Sequence, residues 1–451
     1  MKLTALVGAV LIGLPLMGSP LRADTIRREQ IIRPLPGGLD SVLMVNDNNP
    51  ELIQDDGILL STFPDGGTSS IAVELKGRFD LFSHHVYAGT EDSLDSTVWL
   101  GLLMAPLGDE PVTVTLIEGS TSLSQATDEG QTSAPFLPLP ALMRETTSVI
   151  AAGPGSRVAG DLIRRQTAVE LVKRHWTLQP GPPTRLLQLP IPVEGLDPLL
   201  NGRNLQLRFN STGAVAMATL AAHGKGNQPP SDRIWLDLLA RGELSAKEHS
   251  PTPRGSRGKI IYSRVSGVQI GSRWQARLTD PDSTTLAIKD KTVSWPISSL
   301  ERGSLGSGQV QTAELKAFYP GTAWAAHGNY GVEYDLTLPL LNSGDKPQTL
   351  SLSIDSPLKS EQASGGLRFS SSQTGPVMFR GPVELRGLAD RDGTPFGRQI
   401  VHLVLRQGQQ GPSLGRIHLE PGEQREVRVR LVYPADATPP QVITVQPVKQ
   451  S

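Results

Sequence analysis

Hydrophobic and polar positions alternate along most of this chain. Residues 112–117 read Val-Thr-Val-Thr-Leu-Ile, residues 350–354 read Leu-Ser-Leu-Ser-Ile, and residues 427–433 place an apolar side chain at every second position. A period of two is typical of β-strands that bury one face. Gly and Pro residues bound most of these runs. The pattern therefore predicts a mostly β protein, built as an antiparallel sandwich or barrel.

One segment has helical rather than strand periodicity. Ser231 is a favourable N-cap residue, and Gly242 is suited to end a helix. The apolar residues between them are spaced as on one helix face: Ile234, Trp235, Leu238 and Leu239. The sequence therefore predicts one short helix between Ser231 and Gly242.

Two segments carry the same order of features. Residues 108–116 match residues 344–352, because each begins with Gly-Asp, has Pro three residues after the Gly, and continues as an alternating strand. An apolar strand precedes each Gly-Asp turn, so each copy predicts a β-hairpin whose Gly is free to take a positive φ. A Leu-x-Pro-Gly turn follows each copy at a similar distance, at residues 178–181 and 419–422. The repeat indicates two halves of shared architecture.

The predicted fold is therefore two related antiparallel β-sandwich, immunoglobulin-like halves with an inserted module that carries the short helix. The predicted parts are a signal peptide (1–23), an N-terminal lead segment (24–66), a first sandwich (67–224), the inserted module (225–309) and a second sandwich (310–451).

The first residues have the pattern of a secretory signal peptide. Lys2 supplies a positive charge, residues 3–17 form an apolar core, and Leu-Arg-Ala at 21–23 predicts cleavage before Asp24. This core is shorter than the roughly 20 residues of a membrane-spanning helix. We therefore expect an exported protein, periplasmic, cell-surface or extracellular, with no transmembrane anchor after signal removal. The chain contains no cysteine, so its stability after export depends on burial instead of disulfides.

Composition excludes several classes of function. The chain has 43 basic and 44 acidic residues and a net charge of −1, so it lacks the basic surface of a nucleic-acid-binding protein. Phosphate-loop, dinucleotide-binding, serine-hydrolase and zinc-protease motifs are missing from the sequence. Without cysteine, neither a thiol nucleophile nor a thiolate metal site can form.

Histidines are the leading candidates for a binding role. His84 and His85 precede the first Gly-Asp turn, and His327 precedes the second in a His-Gly-Asn-Tyr-Gly run that also contains Asn329 and Tyr330. Adjacent strand residues point to opposite faces, so His84 and His85 are not expected to share one metal ion. For each histidine the structural alternative is a hydrogen-bonded side chain near a strand end.

Acidic turns offer a second kind of site. Asp390 and Asp392 lie in an Asp-Arg-Asp-Gly turn, and residues 46–49 and 55–57 are also rich in Asp and Asn. Such loops supply the oxygen ligands that calcium prefers. The same residues are common in hairpin turns, which is the alternative interpretation. Calcium is the one cofactor that this pattern suggests.

Several stretches resemble a known protein family. They are residues 33–40 (Arg-Pro-Leu-Pro-Gly-Gly-Leu-Asp), 57–64, 77–80 with 83–85, 327–331 (His-Gly-Asn-Tyr-Gly) and 433–440. Together they are similar to an exported protein family of cyanobacteria, over nearly the whole mature chain. That family has no assigned activity. The resemblance therefore implies export and a single full-length unit, and it transfers no catalytic or binding residue.

Two hypotheses for the function follow. The first is a non-enzymatic scaffold or binding protein of the cell envelope or extracellular space, with an envelope polysaccharide or an envelope protein as its partner. It is based on the signal peptide, the tandem halves and the lack of a catalytic motif. The alternative is a secreted hydrolase that acts on polysaccharide, with its site in or beside the inserted module. Clustered carboxylates in a cleft would favour the hydrolase, and a shallow surface with accessible strand edges would favour the binding protein.

Overall fold

A computed structural model describes residues 25–64, 69–90, 97–125, 139–145, 153–258, 260–261, 263–362 and 365–448. The predicted signal peptide, residues 1–23, lies outside the described residues. Within them the chain forms two helices, α1 (Pro154–Arg164) and α2 (Asp232–Arg241), and twenty-four strands. The strands are β1 (Thr25–Glu29), β2 (Ile31–Ile32), β3 (Gly38–Leu39), β4 (Leu43–Leu52), β5 (Gly57–Ser61), β6 (Leu75–Ala88), β7 (Val98–Pro106), β8 (Val112–Leu123), β9 (Leu142–Glu145), β10 (His175–Leu178), β11 (Thr184–Ile191), β12 (Leu200–His223), β13 (Val265–Ile270), β14 (Arg273–Arg277), β15 (Val293–Ile297), β16 (Leu315–Phe318), β17 (Glu333–Leu341), β18 (Gln348–Asp355), β19 (Gly366–Ser370), β20 (Val377–Arg386), β21 (Gln399–Arg406), β22 (Ser413–Leu419), β23 (Gln424–Val432) and β24 (Gln441–Pro447).

The prediction of a mostly β protein is confirmed, and the described strands form four sheets. A ten-stranded sheet follows the order β10-β8-β12-β6-β4-β13-β16, with β5, β7 and β11 joined to it beside the second part of β12. A seven-stranded sheet has the order β3-β14-β17-β23-β20-β21-β9, and a five-stranded sheet has the order β2-β15-β24-β18-β22. Strand β1 pairs with β19 in a small two-stranded sheet.

Strand β12 takes part in two layers of the ten-stranded sheet. Up to Ser211 it pairs with β6 and β8, and from Val215 it pairs mainly with β7 and β5. The register shifts between these two parts, so the strand bends from one layer into the other. The core enclosed in this way includes Phe79, Leu102, Val114, Leu207, Phe209 and Met217.

The seven-stranded and five-stranded sheets share a second core. Strand β23 alternates as predicted, because Val427, Val429 and Leu431 are fully buried in this core and the arginines between them lie on the opposite face of the sheet. Their partners come from both sheets, so the two sheets pack face to face. Members of this core include Trp274, Tyr334 and Leu336 from the seven-stranded sheet and Trp295, Leu352 and Ile443 from the five-stranded sheet.

The Gly-Asp turns do not close β-hairpins, so that prediction is wrong. Strands β7 and β8 flank the first turn, but β7 pairs with β11 and β12 whereas β8 pairs with β10 and β12. Strands β17 and β18 flank the second turn and lie in different sheets. Gly108 and Gly344 also lack the expected positive φ. Turn residues specify a chain reversal, but the burial of both apolar strand faces decides which strands pair.

The pairing around the two turns is nevertheless the same in both halves. Strands β8 and β7 pair with β10 and β11 in the first half, as β18 and β17 pair with β22 and β23 in the second. Matching positions of the two sequence copies lie opposite each other: Leu178 with Val112 and Thr184 with Met104 in the first half, and Leu419 with Gln348 and Arg425 with Leu340 in the second. The four strands around each turn therefore share the same pairing.

Helix α2 begins and ends where the sequence predicts. Ser231 is its N-cap residue, and Gly242 at its C-cap has the left-handed conformation that favours glycine. Trp235 and Leu238 of the predicted stripe are buried, whereas Ile234 is exposed. The helix packs its buried side chains on the outer surface of the layer formed by β5, β7 and the second part of β12.

The sequence pattern does not predict helix α1. Its first residues, Pro154 and Gly155 after Gly153, are typical of a turn. The helix lies between the seven-stranded sheet and strands β8 and β12 of the ten-stranded sheet, and its apolar face forms a small core with the seven-stranded sheet. This core comprises Val158, Ala159, Leu162, Ile163, Ile400 and Val432.

Strands from different predicted parts of the chain are mixed in the sheets. Strand β9 lies in the range predicted for the first sandwich and pairs with β21 of the seven-stranded sheet. Strand β16 lies in the range predicted for the second sandwich and pairs with β13 of the ten-stranded sheet. The strands of the lead segment also add to several sheets. These exchanged strands tie the two halves together, and the predicted residue boundaries stay predictions.

Candidate functional site

A pocket with a cavity volume of about 70 Å³ lies where the predicted inserted module meets the segment that leads into the His-Gly-Asn-Tyr-Gly run. Its described lining residues come from 251–255, 260–261, 300–302, 312 and 323–327. Apolar and small side chains make up most of this lining, and Arg254, Arg302, Glu301 and His327 add charged or polar groups. A mainly apolar cavity with a few polar groups is the common form of a small-ligand site.

Trp324 and Arg254 make the most distinctive contact of the pocket. The guanidinium carbon of Arg254 lies 4.4 Å from the centroid of the Trp324 ring, in the range of a cation–π interaction. Arg254 Nη2 also lies 2.8 Å from Glu314 Oε1. The side chains of this ion pair are 61% and 64% exposed, so the pair contributes little to stability. The guanidinium is thus held over an aromatic ring while it remains accessible to solvent.

The second arginine of the lining belongs to a strained segment. Arg302 has a φ of 61°, and Ser298 and Leu305 on either side of it have φ values of 55° and 53°. Non-glycine residues rarely adopt this conformation, which costs on the order of 1–3 kcal/mol each. Arg302 Nη1 donates a hydrogen bond to the carbonyl oxygen of Gly258 at 2.8 Å. Strain of this kind is concentrated at ligand sites, where surrounding contacts hold the backbone in place.

Asn329 connects the segments that form the pocket. Its Nδ2 donates to the carbonyl oxygen of Gln311 at 3.0 Å and to Tyr334 Oη at 2.8 Å. Its Oδ1 accepts the backbone N–H of Ala313 at 3.2 Å, and its own backbone N–H donates to Ser298 Oγ at 2.9 Å. The side chain is fully buried and is not part of the lining. Asn329 is therefore a positioning residue that holds the pocket walls from behind.

His327 is the predicted binding residue that lines the pocket. Burial lowers the pKa of its imidazole to about 4, although a hydrogen bond with the backbone of Ser263 partly opposes this shift. The ring is therefore neutral at neutral pH. A neutral imidazole offers one donor and one acceptor nitrogen.

Tyr330 is turned away from the pocket. Its hydroxyl donates to the carbonyl oxygen of Ala437 at 3.0 Å. Its ring lies 6.3 Å from that of Phe82 on β6 and 5.9 Å from that of Tyr433, measured between centroids. Phe82 belongs to the first half, so Tyr330 packs the two halves against each other.

His84 and His85 lie on β6 and outside the described lining of the pocket. His85 Nε2 is 3.0 Å from Asp47 Oδ2, and both side chains are fully buried. Strand alternation turns His84 to the opposite face. Burial, to which the charge of His85 adds, lowers the pKa of His84 to about 4. The structure does not bring the three predicted histidines together.

The acidic turn at Asp390 is held by local hydrogen bonds. Asp390 Oδ1 accepts the backbone N–H groups of Asp392 and Thr394 at 3.0 and 2.8 Å. This is the usual role of Asp in a turn. Across the part of the chain that the structure describes, no group of three or more His, Cys, Asp or Glu side chains is arranged to hold a metal ion. The calcium hypothesis for Asp390 and Asp392 therefore gains no support from these residues.

The sequence pattern does not single out Trp324 or Arg254. Trp324 is one of six tryptophans scattered along the chain, and Arg254 lies in a stretch rich in Pro, Gly and Arg. Trp324 lies close to His327 in sequence, and Arg254 lies inside the predicted inserted module. These positions are the signal that could have identified the two residues. Only the fold brings the ring and the guanidinium into contact.

A family comparison covers both halves and the pocket. The model of one protein family matches residues 30–447. The chain belongs to the family described as Protein of unknown function (DUF3370). The full-length family relationship expected from the sequence motifs is thereby confirmed for this DUF3370 chain. No curated protein matches it.

The sequence of this DUF3370 chain predicts no transmembrane anchor after signal removal. Neither α1 nor α2, the helices of the described residues, is long and apolar enough to cross a membrane.

Proposed function

We propose that this DUF3370 protein is an exported, non-enzymatic binding protein whose ligand site is the pocket lined by Trp324, Arg254 and His327. The pocket itself is the observation that supports this function most strongly. Its lining, mostly apolar with a few charged or polar groups, has the common form of a small-ligand site. The strained Arg302 segment and the hydrogen bonds of Asn329 hold its walls in a defined shape.

The lining favours binding over the alternative, hydrolysis of a polysaccharide. Glycosidases place a pair of carboxyl groups on either side of the scissile bond. Glu301 is the only carboxylate among the described lining residues. Glu314 lies nearby but is engaged by Arg254. His327, with a pKa of about 4, is a weak base.

The proposal also includes export to the periplasm, cell surface or extracellular space. It further includes a cyanobacterial origin and immunoglobulin-like halves. Export is supported by the order of charge, apolar core and small residue in positions 1–23. The related halves are supported by the matching strand register around the two Gly-Asp turns. Mass spectrometry of the protein from the periplasm of an expression host should find a new N-terminus at or near Asp24. An uncleaved chain that stays in the cytoplasm would contradict export.

A thermal-shift screen with apolar and amphipathic small molecules tests the binding function. A ligand that binds only the folded state at a hundred times its Kd raises the free energy of unfolding by about 2.7 kcal/mol. We expect ligands that stabilise the wild type and leave the Ala325→Trp variant unchanged, because the indole fills the pocket that Ala325 lines. Failure to find such ligands, or equal stabilisation of both proteins, argues against the pocket as the functional site. Release of sugar from envelope polysaccharide by the wild type but not by Glu301→Gln would establish the hydrolase instead.

A further inference from the structure

We infer that the ligand of this pocket is an amphipathic anion, with an apolar, ring-containing body and a carboxylate, sulfonate or phosphate head. This inference rests on the proposed binding function and names the class of ligand that the pocket takes. The body would lie against the apolar lining and Trp324, and the head would meet Arg254 and Arg302.

The lining calls for an apolar body. Ile261 is 48% exposed and lines the pocket with the ring of Trp324, while Ala325 and Ala326 leave the space in front of them open. Covering exposed apolar surface is worth roughly 25 cal/mol per Å². A bare sugar would instead bring many hydroxyl groups, each of which needs a hydrogen-bond partner when it leaves water. This lining has few polar side chains to supply them.

The charges of the lining call for an anionic head. The described lining contains two arginines, Arg254 and Arg302, and one carboxylate, Glu301. Glu314 also pairs with Arg254, but a pair this exposed is screened by solvent and is worth little. A ligand anion can therefore take the place of Glu314 at small cost. The planar guanidinium, with five N–H donors, matches the oxygens of a carboxylate, sulfonate or phosphate.

The contact between Arg254 and Trp324 links the requirement for an apolar body to the requirement for an anionic head. The guanidinium carbon lies 4.4 Å from the ring centroid, so the cation and the aromatic surface occupy adjacent positions. One small molecule can therefore touch both if its charged group is attached directly to its ring system. This geometry selects compact aromatic anions over long, flexible ones.

Two fluorescent probes that differ in a single group test this inference. The first is 8-anilino-1-naphthalenesulfonate, and the second is N-phenyl-1-naphthylamine, which has the same ring body without the sulfonate. Titration of the wild type should show the sulfonate binding about tenfold more tightly than the neutral amine, which is the effect of about one charge-assisted hydrogen bond. Ala325→Trp should weaken both probes.

Variants of the two lining arginines test whether these residues cause the preference for the sulfonate probe. Arg254→Met or Arg302→Met should weaken sulfonate binding about tenfold and leave the neutral amine unchanged. Arg277→Met is the matched control, because Arg277 is an ion-paired arginine that is 52% exposed, against 61% for Arg254, and it lies outside the described lining of the pocket. Thermal unfolding of each variant verifies that it is folded before titration.

The outcomes separate this inference from the binding function. Equal affinity for the two probes, with both weakened by Ala325→Trp, overturns the anion requirement and leaves the pocket as a binding site. A sulfonate preference that neither arginine variant reduces also overturns the inference, as does a wild type that binds neither probe. Probe binding that Ala325→Trp does not weaken overturns the proposed function itself.

Discussion

The carboxylate of Asp436 caps helix α1, because its Oδ2 accepts the backbone N–H of Ser156 at 2.6 Å from 280 residues away in the chain. The helix has no acidic residue in its own first turn. Gly153 and Gly155 allow the approach, since a Cβ at Gly153 would lie 2.7 Å from Asp436 Oδ2. A carboxylate at this end satisfies helix N–H groups and interacts favourably with the helix dipole. The loop between β23 and β24 thus completes a helix that lies between the two halves.

The Asp436 cap predicts an unusual dependence of stability on pH. Burial raises the pKa of Asp436 to about 6, and the hydrogen bond from Ser156 only partly opposes the shift. The folded state therefore keeps a proton that the unfolded state, with a pKa near 4, releases. Stability from this group is present at about pH 4 and is lost as the pH rises through about 6.

The Asp436→Asn variant isolates this effect. Its amide cannot titrate, so the free energy of unfolding of the wild type minus that of the variant should fall by about 2–3 kcal/mol between roughly pH 4 and pH 7. Urea denaturation across this range measures the difference. A difference that stays constant with pH would show that Asp436 does not titrate in this window.

Arg208 joins the two halves through charge. It lies on β12, where Nη1 is 2.9 Å from Glu118 Oε2 and Nη2 is 3.0 Å from Glu333 Oε2 on β17. Arg208→Met keeps an unbranched apolar stem but removes this cation from the mostly buried Glu333, which retains Arg430 Nε at 3.5 Å. We expect a loss of about 1–3 kcal/mol in the free energy of unfolding, measured by urea denaturation.

Arg277→Met is the control for Arg208→Met. Arg277 pairs with Glu426 on the surface, and both side chains are more than half exposed. Its loss should cost less than about 1 kcal/mol. Similar losses for the two variants would mean that burial of the Arg208 ion pairs does not set their contribution.

Gly101 on β7 leaves room for the ring of Trp235, which helix α2 packs against this strand. A Cβ at this position would meet the ring of Trp235 at 2.8 Å. Trp235 is fully buried, and its Nε1 donates to Gln188 Oε1 at 3.1 Å, so the ring has little freedom to move. Gly101→Ala should lower stability by about 1–3 kcal/mol and shift the tryptophan emission. Gly108→Ala, with no atom near its new Cβ, should stay within about 0.5 kcal/mol of the wild type.

The two Pro-Gly turns should respond alike to the same substitution. Gly181 and Gly422 occupy matching places in the repeat and have φ values of 115° and 77°, with open space around each. Alanine at such a positive φ costs on the order of 1–3 kcal/mol. Thermal unfolding should therefore give similar losses for Gly181→Ala and Gly422→Ala. A large loss in one and none in the other would contradict the equivalence of the two turns.

Asn329 should affect the pocket without touching its ligand. Asn329→Ala removes the side-chain hydrogen bonds to the buried backbone groups of Gln311 and Ala313, and one of those made by Tyr334 Oη, which costs on the order of 1–3 kcal/mol. Measured below its unfolding temperature, the folded variant should also bind the sulfonate probe more weakly, because the walls that Asn329 connects are released. Unchanged probe affinity in the folded variant would assign Asn329 a role in stability alone.

Much of the local structure could be predicted because its causes are local. Strand alternation identifies the buried faces of Val427, Val429 and Leu431, since a period of two needs only neighbouring residues. The limits of α2 lie at Ser231 and Gly242 as predicted, and Gly242 ends the helix in the left-handed conformation that favours glycine. The order of turns in the repeat likewise predicts two halves with matching strands.

Tertiary structure decided everything that depends on residues distant in sequence. The Gly-Asp turns connect separate layers because each flanking strand gains more by pairing with a distant strand that buries the same face than with its neighbour. Helix α1 exists where its own sequence reads as a turn, because Asp436 caps it and the seven-stranded sheet covers its apolar face. The pocket depends on the contact between Arg254 and Trp324, which no local pattern encodes. The sequence alone thus determined which residues face inward, because the pattern of apolar residues sets which side chains are buried. Only the tertiary structure determined which of them are in contact, because contacts depend on the chain topology.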